Sequence, residues 1–362
     1  MEKDRIMDEI TVSVYFSTYN QEKYVRQALD SILMQKTSFA YEVIAADDFS
    51  TDGTRDVILE YQKQYPQIRT FFTPENIGGS KKLVQCIEGG LFRGKYIAIL
   101  EGDDYWINEN RLQILVDFLE QHPEYSRVSH RREIVDENGT RHGYDLPESR
   151  LNRAFTIEDY MQGWVYGDFC SLFRNYYREA GNRFNSLFLA SRNVCDFQDM
   201  FITQEFGPVY ILGDCLAAYR SRSTQGETNY NSITSQIERC KDHIHIAETL
   251  EAFFRGKYDL SPYKTFNRTR IVNERITGGD AANYKADLAA ISAPERIRIL
   301  TEQLYLRLRA KNKAEARFIL KNNAFGDNVR VFLSLPLYLV KRVIGRARKT
   351  NGPQALKGYV RA

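Results

Sequence analysis

Only two tryptophans and five cysteines occur in 362 residues. The cysteines, Cys86, Cys170, Cys195, Cys215 and Cys240, form neither a CxxC pair nor a Cys/His ligand spacing. An odd set of scattered thiols argues against a disulfide framework and against a zinc site, and fits reduced thiols in a cytoplasmic protein. None of the five histidines, His122, His130, His142, His243 and His245, pairs with another at ligand spacing; His243 and His245 would point to different sides of a helix. Met1-Glu2-Lys3-Asp4-Arg5 mixes both charge signs and no apolar stretch follows, so neither a signal peptide nor an N-terminal anchor is expected. A net charge of +3 gives no case for nucleic acid or another strongly acidic partner. There is also no repeat of solenoid length.

What the chain does have is an ordinary globular composition, with 43% hydrophobic and 27% charged residues. Its length allows two domains, or one α/β domain with a large extension. Thr11 to Ser17 is rich in β-branched and aromatic residues and reads as a strand that breaks at Thr18-Tyr19-Asn20. From Glu22 to Gln35 the apolar residues Tyr24, Val25, Ala28, Leu29, Ile32 and Leu33 recur at helical spacing. A second apolar strand, Tyr41 to Ala46, stops at Asp47-Asp48, and the Ser50-Thr51-Asp52-Gly53-Thr54 cluster caps a second helix. Arg69 to Phe72 is a third strand, followed by the Ile77-Gly78-Gly79 loop and a helix opened by Lys81 and Lys82. This βαβα alternation predicts a mostly parallel sheet covered by helices.

Lys95-Tyr96-Ile97-Ala98-Ile99-Leu100-Glu101-Gly102-Asp103-Asp104-Tyr105-Trp106 is the most informative stretch. A short apolar strand ends abruptly in two adjacent carboxylates and two aromatics. Ligands of open α/β sheets bind at the carboxyl ends of strands. Two carboxylates there suit a hard divalent cation that shares its coordination with substrate phosphates, although an acidic turn can also simply end a strand.

Further along, Arg111 to His122 is an amphipathic helix, and Val128 to Val135 a strand that turns at Asp136-Glu137-Asn138-Gly139, so the sheet is expected to become mixed. Thr156 to Asp159 reads as a capping box. A helix follows Cys195-Asp196, Val209 to Leu212 is a strand, and the run from Leu216 to Arg222 leads into a polar segment. The first domain is placed at 1–231 and a helical region at 232–362. The last apolar run, Val331 to Val340, is too short to span a bilayer. Arg330, Lys341, Arg342, Arg346, Arg348 and Lys349 flank it, so residues 329–349 suit either an anionic membrane interface or a packed helix with a solvated basic end.

Ser17-Thr18-Tyr19-Asn20, Ala46-Asp47-Asp48-Phe49-Ser50-Thr51-Asp52-Gly53-Thr54 and Glu101-Gly102-Asp103-Asp104-Tyr105-Trp106 stand in order at three predicted strand ends. Together they resemble the signature of the family 2 glycosyltransferases of the GT-A fold, and in particular the bacterial members that build surface polysaccharides. The resemblance runs from Thr11 to Gly226. It implies an α/β GT-A fold, a mostly parallel, mixed sheet flanked by helices, here with a helical C-terminal extension.

The resemblance further implies that Thr18 and Tyr19 lie against a nucleotide base and that Asp48 accepts a hydrogen bond from a uracil-type ring. Lys82, or its neighbour Lys81, would face the nucleotide. Asp103 would turn toward the ribose or sugar, and Asp104 toward Mg²⁺ or Mn²⁺. Asp196 matches the general base, with Asp199 as a competitor at a position the family usually fills with an apolar residue. Trp106 falls on the acceptor side and, with Trp164, Phe169 and Arg192, would shape the pocket. Arg222 stands where related sequences carry a histidine; it cannot ligate a metal but can bind diphosphate oxygens.

The expected activity is inverting transfer from a nucleoside-diphosphate sugar, a UDP-sugar foremost, to a hydroxyl of a glycan or lipid-linked acceptor at the cytoplasmic face of a membrane. Two other readings remain open. A sugar nucleotidyltransferase is disfavoured because no glycine-rich basic phosphate loop follows the first strand. A non-catalytic glycan-binding or scaffolding subunit would account for the missing histidine and the long helical extension.

Overall fold

The computed structural model describes residues 9–157, 159, 170–194, 196–221, 234–324, 326–335 and 338. The chain divides into two compact units between Ile233 and Thr234.

The first unit is built on a ten-stranded sheet whose main path runs β3 (Ile68–Phe72), β2 (Tyr41–Asp47), β1 (Val12–Thr18), β4 (Tyr96–Glu101), β9 (Leu172–Arg174), β6 (Arg127–Val135), β10 (Val209–Arg220), β5 (Tyr105–Trp106). β1 (Val12–Thr18) lies between β2 (Tyr41–Asp47) and β4 (Tyr96–Glu101), parallel to both, and β3 (Ile68–Phe72) extends the parallel half beyond β2. Helices α1 (Glu22–Leu33), α2 (Thr54–Gln64) and α3 (Gly79–Glu88) make the crossovers. β1 is almost wholly buried along its length, as a parallel strand covered on both faces must be. Val12, Val14 and Phe16 pack in one core with Val25, Ala28, Leu29 and Ile32 of α1. Each of these side chains other than Ala28 contributes about 1.5–3 kcal/mol by leaving water.

The chain steps from β1 outward to β3, then returns to β4 on the other side of β1. This reversal is a topological switch point, and it opens a crevice at the carboxyl ends of β1 and β4. All three strand ends singled out in the sequence reach this edge, with Thr18 opposite Asp47 and Ser17 opposite Glu101.

Beyond α4 (Arg111–Gln121) the sheet becomes mixed. β6 (Arg127–Val135) and β7 (Arg141–Tyr144) form the expected hairpin across Asp136–Gly139. The short β8 (Arg153–Phe155) pairs with β10, and β9 (Leu172–Arg174) runs antiparallel to both β4 and β6. The helices α5 (Tyr176–Ala180), α6 (Asn185–Phe188) and α7 (Asp196–Gln204) follow.

Two sequence expectations are corrected here. The strand read over Val209 to Leu212 runs on to Arg220 as β10; register shifts between Leu212 and Ala217 absorb the Gly213-Asp214 interruption as bulges. Trp106 does not face an acceptor. In the two-residue β5 (Tyr105–Trp106) it pairs with Ala217, is 1% exposed and packs in the core beneath the Arg111 guanidinium.

The second unit is helical: α8 (Gln236–Phe253), α9 (Ser261–Thr277), α10 (Ala281–Ala289), α11 (Ala293–Arg309) and α12 (Lys313–Asn322). Ser235 and Glu238 cap α8 reciprocally. Val272, Ile276, Tyr284, Leu300, Leu304, Ile319 and Val331 form its own core. Among the described residues no helix is long and apolar enough to cross a membrane.

Candidate functional site

The loops after β1 and β2 are laced together before any ligand is considered. Asn20 takes a left-handed backbone (φ 49°), its N–H donates to Ser50 Oγ at 2.8 Å, and its Oδ1 accepts from Thr51 N at 2.7 Å. Gln21 N donates to Thr54 Oγ1. Asp47 is the internal hub, accepting from Thr18 Oγ1 at 2.9 Å, from the Ser50 backbone and hydroxyl, and from the Arg55 guanidinium. Thr18, expected at the nucleotide base, is therefore 2% exposed with its hydroxyl committed to Asp47. Tyr19 keeps partial exposure at the same loop.

Burial separates the two lysines. Lys81 is exposed, whereas Lys82 is 1% exposed and its Nζ donates to the carbonyls of Thr18 and Ala46, both at 3.0 Å. Burial pushes the Lys82 ammonium below the usual lysine range, and the charges of Asp48 and Asp47 oppose that shift. Lys82 thus cross-links the ends of β1 and β2 from beneath.

Asp48 is 3% exposed, and its carboxylate shapes the next loop. Oδ1 accepts from Thr73 Oγ1 (3.2 Å) and Ile77 N (2.9 Å), and Oδ2 from Gly78 N (2.8 Å). A carboxylate offers about four acceptor positions, so one remains on Oδ2. Gly78 must be glycine: its φ is +90°, and a Cβ there would lie 2.5 Å from both Cγ and the carbonyl oxygen of Arg192. Arg192 in turn donates to the Asn76 carbonyl at 2.8 Å and caps Ser80 N with its own carbonyl.

At the end of β4, Gly102 also permits a close approach, since a Cβ would lie 2.4 Å from Gln21 Oε1. The turn it makes buries Asp104 to 2% exposure and leaves Asp103 at intermediate exposure. Asp104 Oδ1 accepts from Arg220 N at 2.8 Å, while Oδ2 is buried with no hydrogen-bond partner. Burial, and then the charge of Asp103, push the Asp104 carboxyl up to about 7. Glu101 is pushed well above the carboxylate range by burial and by the charges of Asp103, Asp104 and Asp196.

A buried carboxylate oxygen with nothing to satisfy it is the donor chemistry a hard cation requires. Among the described residues no three His, Cys, Asp or Glu side chains form a complete metal cage. Asp104 with Asp103 therefore fits an ion of the magnesium type, held by one or two carboxylates with the rest of its shell supplied by water and phosphate.

The two candidate bases are separated by their surroundings. Asp199 lies one turn into α7, buried, and its carboxylate pairs with the Arg127 guanidinium and accepts from Tyr176 Oη (2.5 Å) and Tyr177 Oη (3.3 Å). It holds the helix in place. Asp196 opens the same helix at intermediate exposure, with Oδ1 accepting from the Phe197 N–H at 2.9 Å. Burial raises its carboxyl above the ordinary aspartate value.

Arg222, Trp164, Phe169, Cys195 and residues 339–349 lie outside the described residues. Two residues that the sequence reading passed over prove central. Arg220 is 4% exposed; besides its bond to Asp104 it donates to the carbonyls of Asp103, Asp136 and Glu137 and to Gln27 Oε1, with its guanidinium over the Tyr24 ring. Arg132, paired with Asp145 at 2.8 Å, is the cation whose charge draws down Glu101, Asp104 and Asp196 alike. For Arg220 the available signal was a charged residue closing the apolar run Leu216-Ala217-Ala218-Tyr219, which needs a buried partner.

Residues 13–183 match the family model described as glycosyl transferase family 2. An uncharacterised protein of Mycobacterium tuberculosis is 40% identical over 148 residues, which cover 41% of this chain and 42% of that protein. The putative teichuronic acid biosynthesis glycosyltransferase TuaG of Bacillus subtilis is 33% identical over 108 residues, 30% of this chain and 41% of that one. Matched segments thus span about two fifths of the length of these relatives. Among solved structures, residues 1–349 of S. aureus TarS in complex with UDP-GlcNAc superpose with a TM-score of 0.52 at 18% identity, covering 86% of this chain and 90% of that one. That likeness is one of fold.

Proposed function

We propose that this chain, whose residues 13–183 form a glycosyl transferase family 2 domain, moves a sugar from a nucleoside-diphosphate donor to a hydroxyl of a glycan or lipid-linked acceptor, with inversion at the transferred carbon. The observation that carries this reading is the partnerless, buried Oδ2 of Asp104 at the switch-point crevice, with Asp196 within electrostatic reach of the same carboxylate group through Glu101.

The donor side follows from the strand ends. The remaining acceptor position on Asp48 Oδ2 suits a single ring N–H, as a uracil-type base offers, and Tyr19 lies at the adjoining loop. A UDP-sugar is the donor this favours, and the UDP-GlcNAc complex of S. aureus TarS, a protein of like fold, supports it. Asp103 and Asp104 would hold Mg²⁺ or Mn²⁺. Such an ion offsets the charge that develops on a departing diphosphate. Arg222, from its place in the sequence, is a candidate for direct pairing with diphosphate oxygens.

The acceptor side rests on Asp196. A carboxylate whose acidity is weakened by burial is a better proton acceptor near neutral pH. It takes the proton of the acceptor hydroxyl as that oxygen attacks. Asp199, locked to Arg127, keeps the first turn of α7 fixed and takes no part in the proton transfer.

The likeness to TuaG, a putative teichuronic acid biosynthesis glycosyltransferase, supports a place in surface polysaccharide synthesis. Work at the cytoplasmic face of a membrane is part of the same reading. In the helical unit Phe332 is 50% and Leu333 75% exposed, and the sequence that follows carries Lys341, Arg342, Arg346, Arg348 and Lys349 without an acidic residue. Exposed apolar residues beside such a basic run suit an anionic lipid interface.

Incubating the protein with Mn²⁺, a panel of UDP- and GDP-sugars and undecaprenyl-linked glycan acceptors tests the reading by nucleoside diphosphate release. Release from at least one donor is expected, and from a UDP-sugar foremost. Pyrophosphate release would indicate a nucleotidyltransferase, and glycan binding with no nucleotide turnover would indicate a non-catalytic subunit.

A further inference from the structure

Phe49 follows Asp48 directly, and its backbone is left-handed, with φ +64°. For a bulky side chain that conformation is a true outlier and costs on the order of 1–3 kcal/mol. A second cost is added by exposure, because Phe49 leaves 41% of its surface in water. Neither cost is needed to make the turn, which glycine or asparagine would make with less strain.

The surroundings fix the ring in place. The Arg55 guanidinium lies with its Cζ 5.5 Å from the Phe49 ring centroid and 4.9 Å from that of Phe72. Arg55 is itself immobilised by Asp47 and by the Thr73 carbonyl, to which Nη2 donates at 2.7 Å. On one side of Phe49 stands Asp48, with its single remaining acceptor position; on the other stands Ser50, tied to Asn20 in the loop that carries Tyr19. An exposed aromatic ring held over a fixed guanidinium, next to a buried carboxylate that can take one ring N–H, is a stacking platform.

We propose that Phe49 is a base-stacking residue: its exposed surface takes the nucleobase of the donor, while Asp48 takes that base's ring N–H. The proposal rests on the nucleotide-sugar reading. Strain in the backbone is retained because it turns the ring outward beside Asp48.

Calorimetry with two probes, UDP and inorganic pyrophosphate, each in magnesium buffer, separates the base from the phosphates. Phe49→Asn keeps a residue that tolerates the left-handed turn, and Phe49→Tyr keeps the ring. In Phe49→Asn, UDP affinity is expected to fall roughly five- to a hundredfold, the worth of one base stacked on an aromatic ring. Pyrophosphate affinity and the melting temperature should hold or rise, and Phe49→Tyr should bind UDP as the wild type does. Equal UDP affinity in Phe49→Asn and wild type overturns the proposal, as does an equal loss for UDP and pyrophosphate. A wild-type protein that binds pyrophosphate but neither UDP nor any other nucleoside diphosphate overturns the nucleotide-sugar reading itself, and the stacking role with it.

Discussion

The backbone N–H of Arg220 donates to Asp104 Oδ1 at 2.8 Å, so one oxygen of that carboxylate is held by the protein while the other stays buried and unsatisfied. The carboxylate is thereby oriented before any cation arrives. Asp104→Asn replaces the anion with a neutral group of the same shape. In the wild type, Mn²⁺ together with UDP should raise the melting temperature by mass action. That shift should vanish in Asp104→Asn, and turnover should fall by about a hundredfold or more. An undiminished Mn²⁺-dependent shift would remove Asp104 from the cation site.

Asp196 and Asp199 sit one turn apart on α7 and should fail in opposite ways. Asp196→Asn should lower turnover by about 10²–10⁴-fold while leaving the UDP dissociation constant and the urea midpoint near wild type. Asp199→Asn removes a buried carboxylate paired with the Arg127 guanidinium and should cost about 3–5 kcal/mol of stability. Urea unfolding and steady-state kinetics on both variants check this. If Asp199→Asn proved stable but inactive, the roles would have to be exchanged.

Lys82 donates to two buried carbonyls, whereas Lys81 is exposed. Lys82→Met removes both charge-assisted bonds, although the Thr18 carbonyl keeps the Asp48 N–H at 3.1 Å, and should lower stability by about 1.5–3 kcal/mol. Lys81→Met should stay within about 0.5 kcal/mol of wild type. Equal melting temperatures for the two variants would contradict the buried placement.

His130 supplies a pH dependence whose sign is fixed by burial. Its ring is fully buried beside the Arg111 guanidinium, with Nε2 accepting from Arg111 Nε at 3.0 Å, and burial pushes its pKa well below the ordinary histidine value. In the unfolded chain the same ring takes a proton near pH ~6.5. Below that pH the unfolded state binds a proton that the folded state refuses, so stability falls as pH falls, by up to about 1.4 kcal/mol per pH unit from this group. Urea midpoints at pH 7, 6 and 5 should therefore drop more steeply for wild type than for His130→Gln. Parallel profiles would show that His130 does not govern this range.

How much of this was legible in the sequence depended on how local the cause was. Thr11–Ser17 and Tyr96–Leu100 were readable as strands because parallel strands buried on both faces need unbroken apolar runs, and the motifs at their ends follow within a few residues. Trp106 was misread because nothing nearby announces that Ala217, 111 positions later, pairs with it and closes it into the core. Arg220 was overlooked for the same reason: its partners, Asp104, Asp136 and Gln27, belong to three distant segments. Lys81 and Lys82 could not be separated by spacing, since only the direction of a helix face relative to the sheet distinguishes a buried ammonium from a solvated one. Phe49 sits inside the Ala46-to-Thr54 motif, and nothing local announces its left-handed backbone.

The distance in sequence between Asp104 and Arg220 has a consequence for the order of synthesis. Strands β1 to β4 can pair as soon as residue 101 has left the ribosome, and with them the Asp48 loop takes shape. The N–H that orients Asp104 arrives 116 residues later. At about 5–20 residues per second, that is a delay of roughly 6 to 25 s. On the proposed function, a nascent chain would present the nucleotide-facing half before it could position a cation, and turnover would wait until the last strand of the sheet is in place.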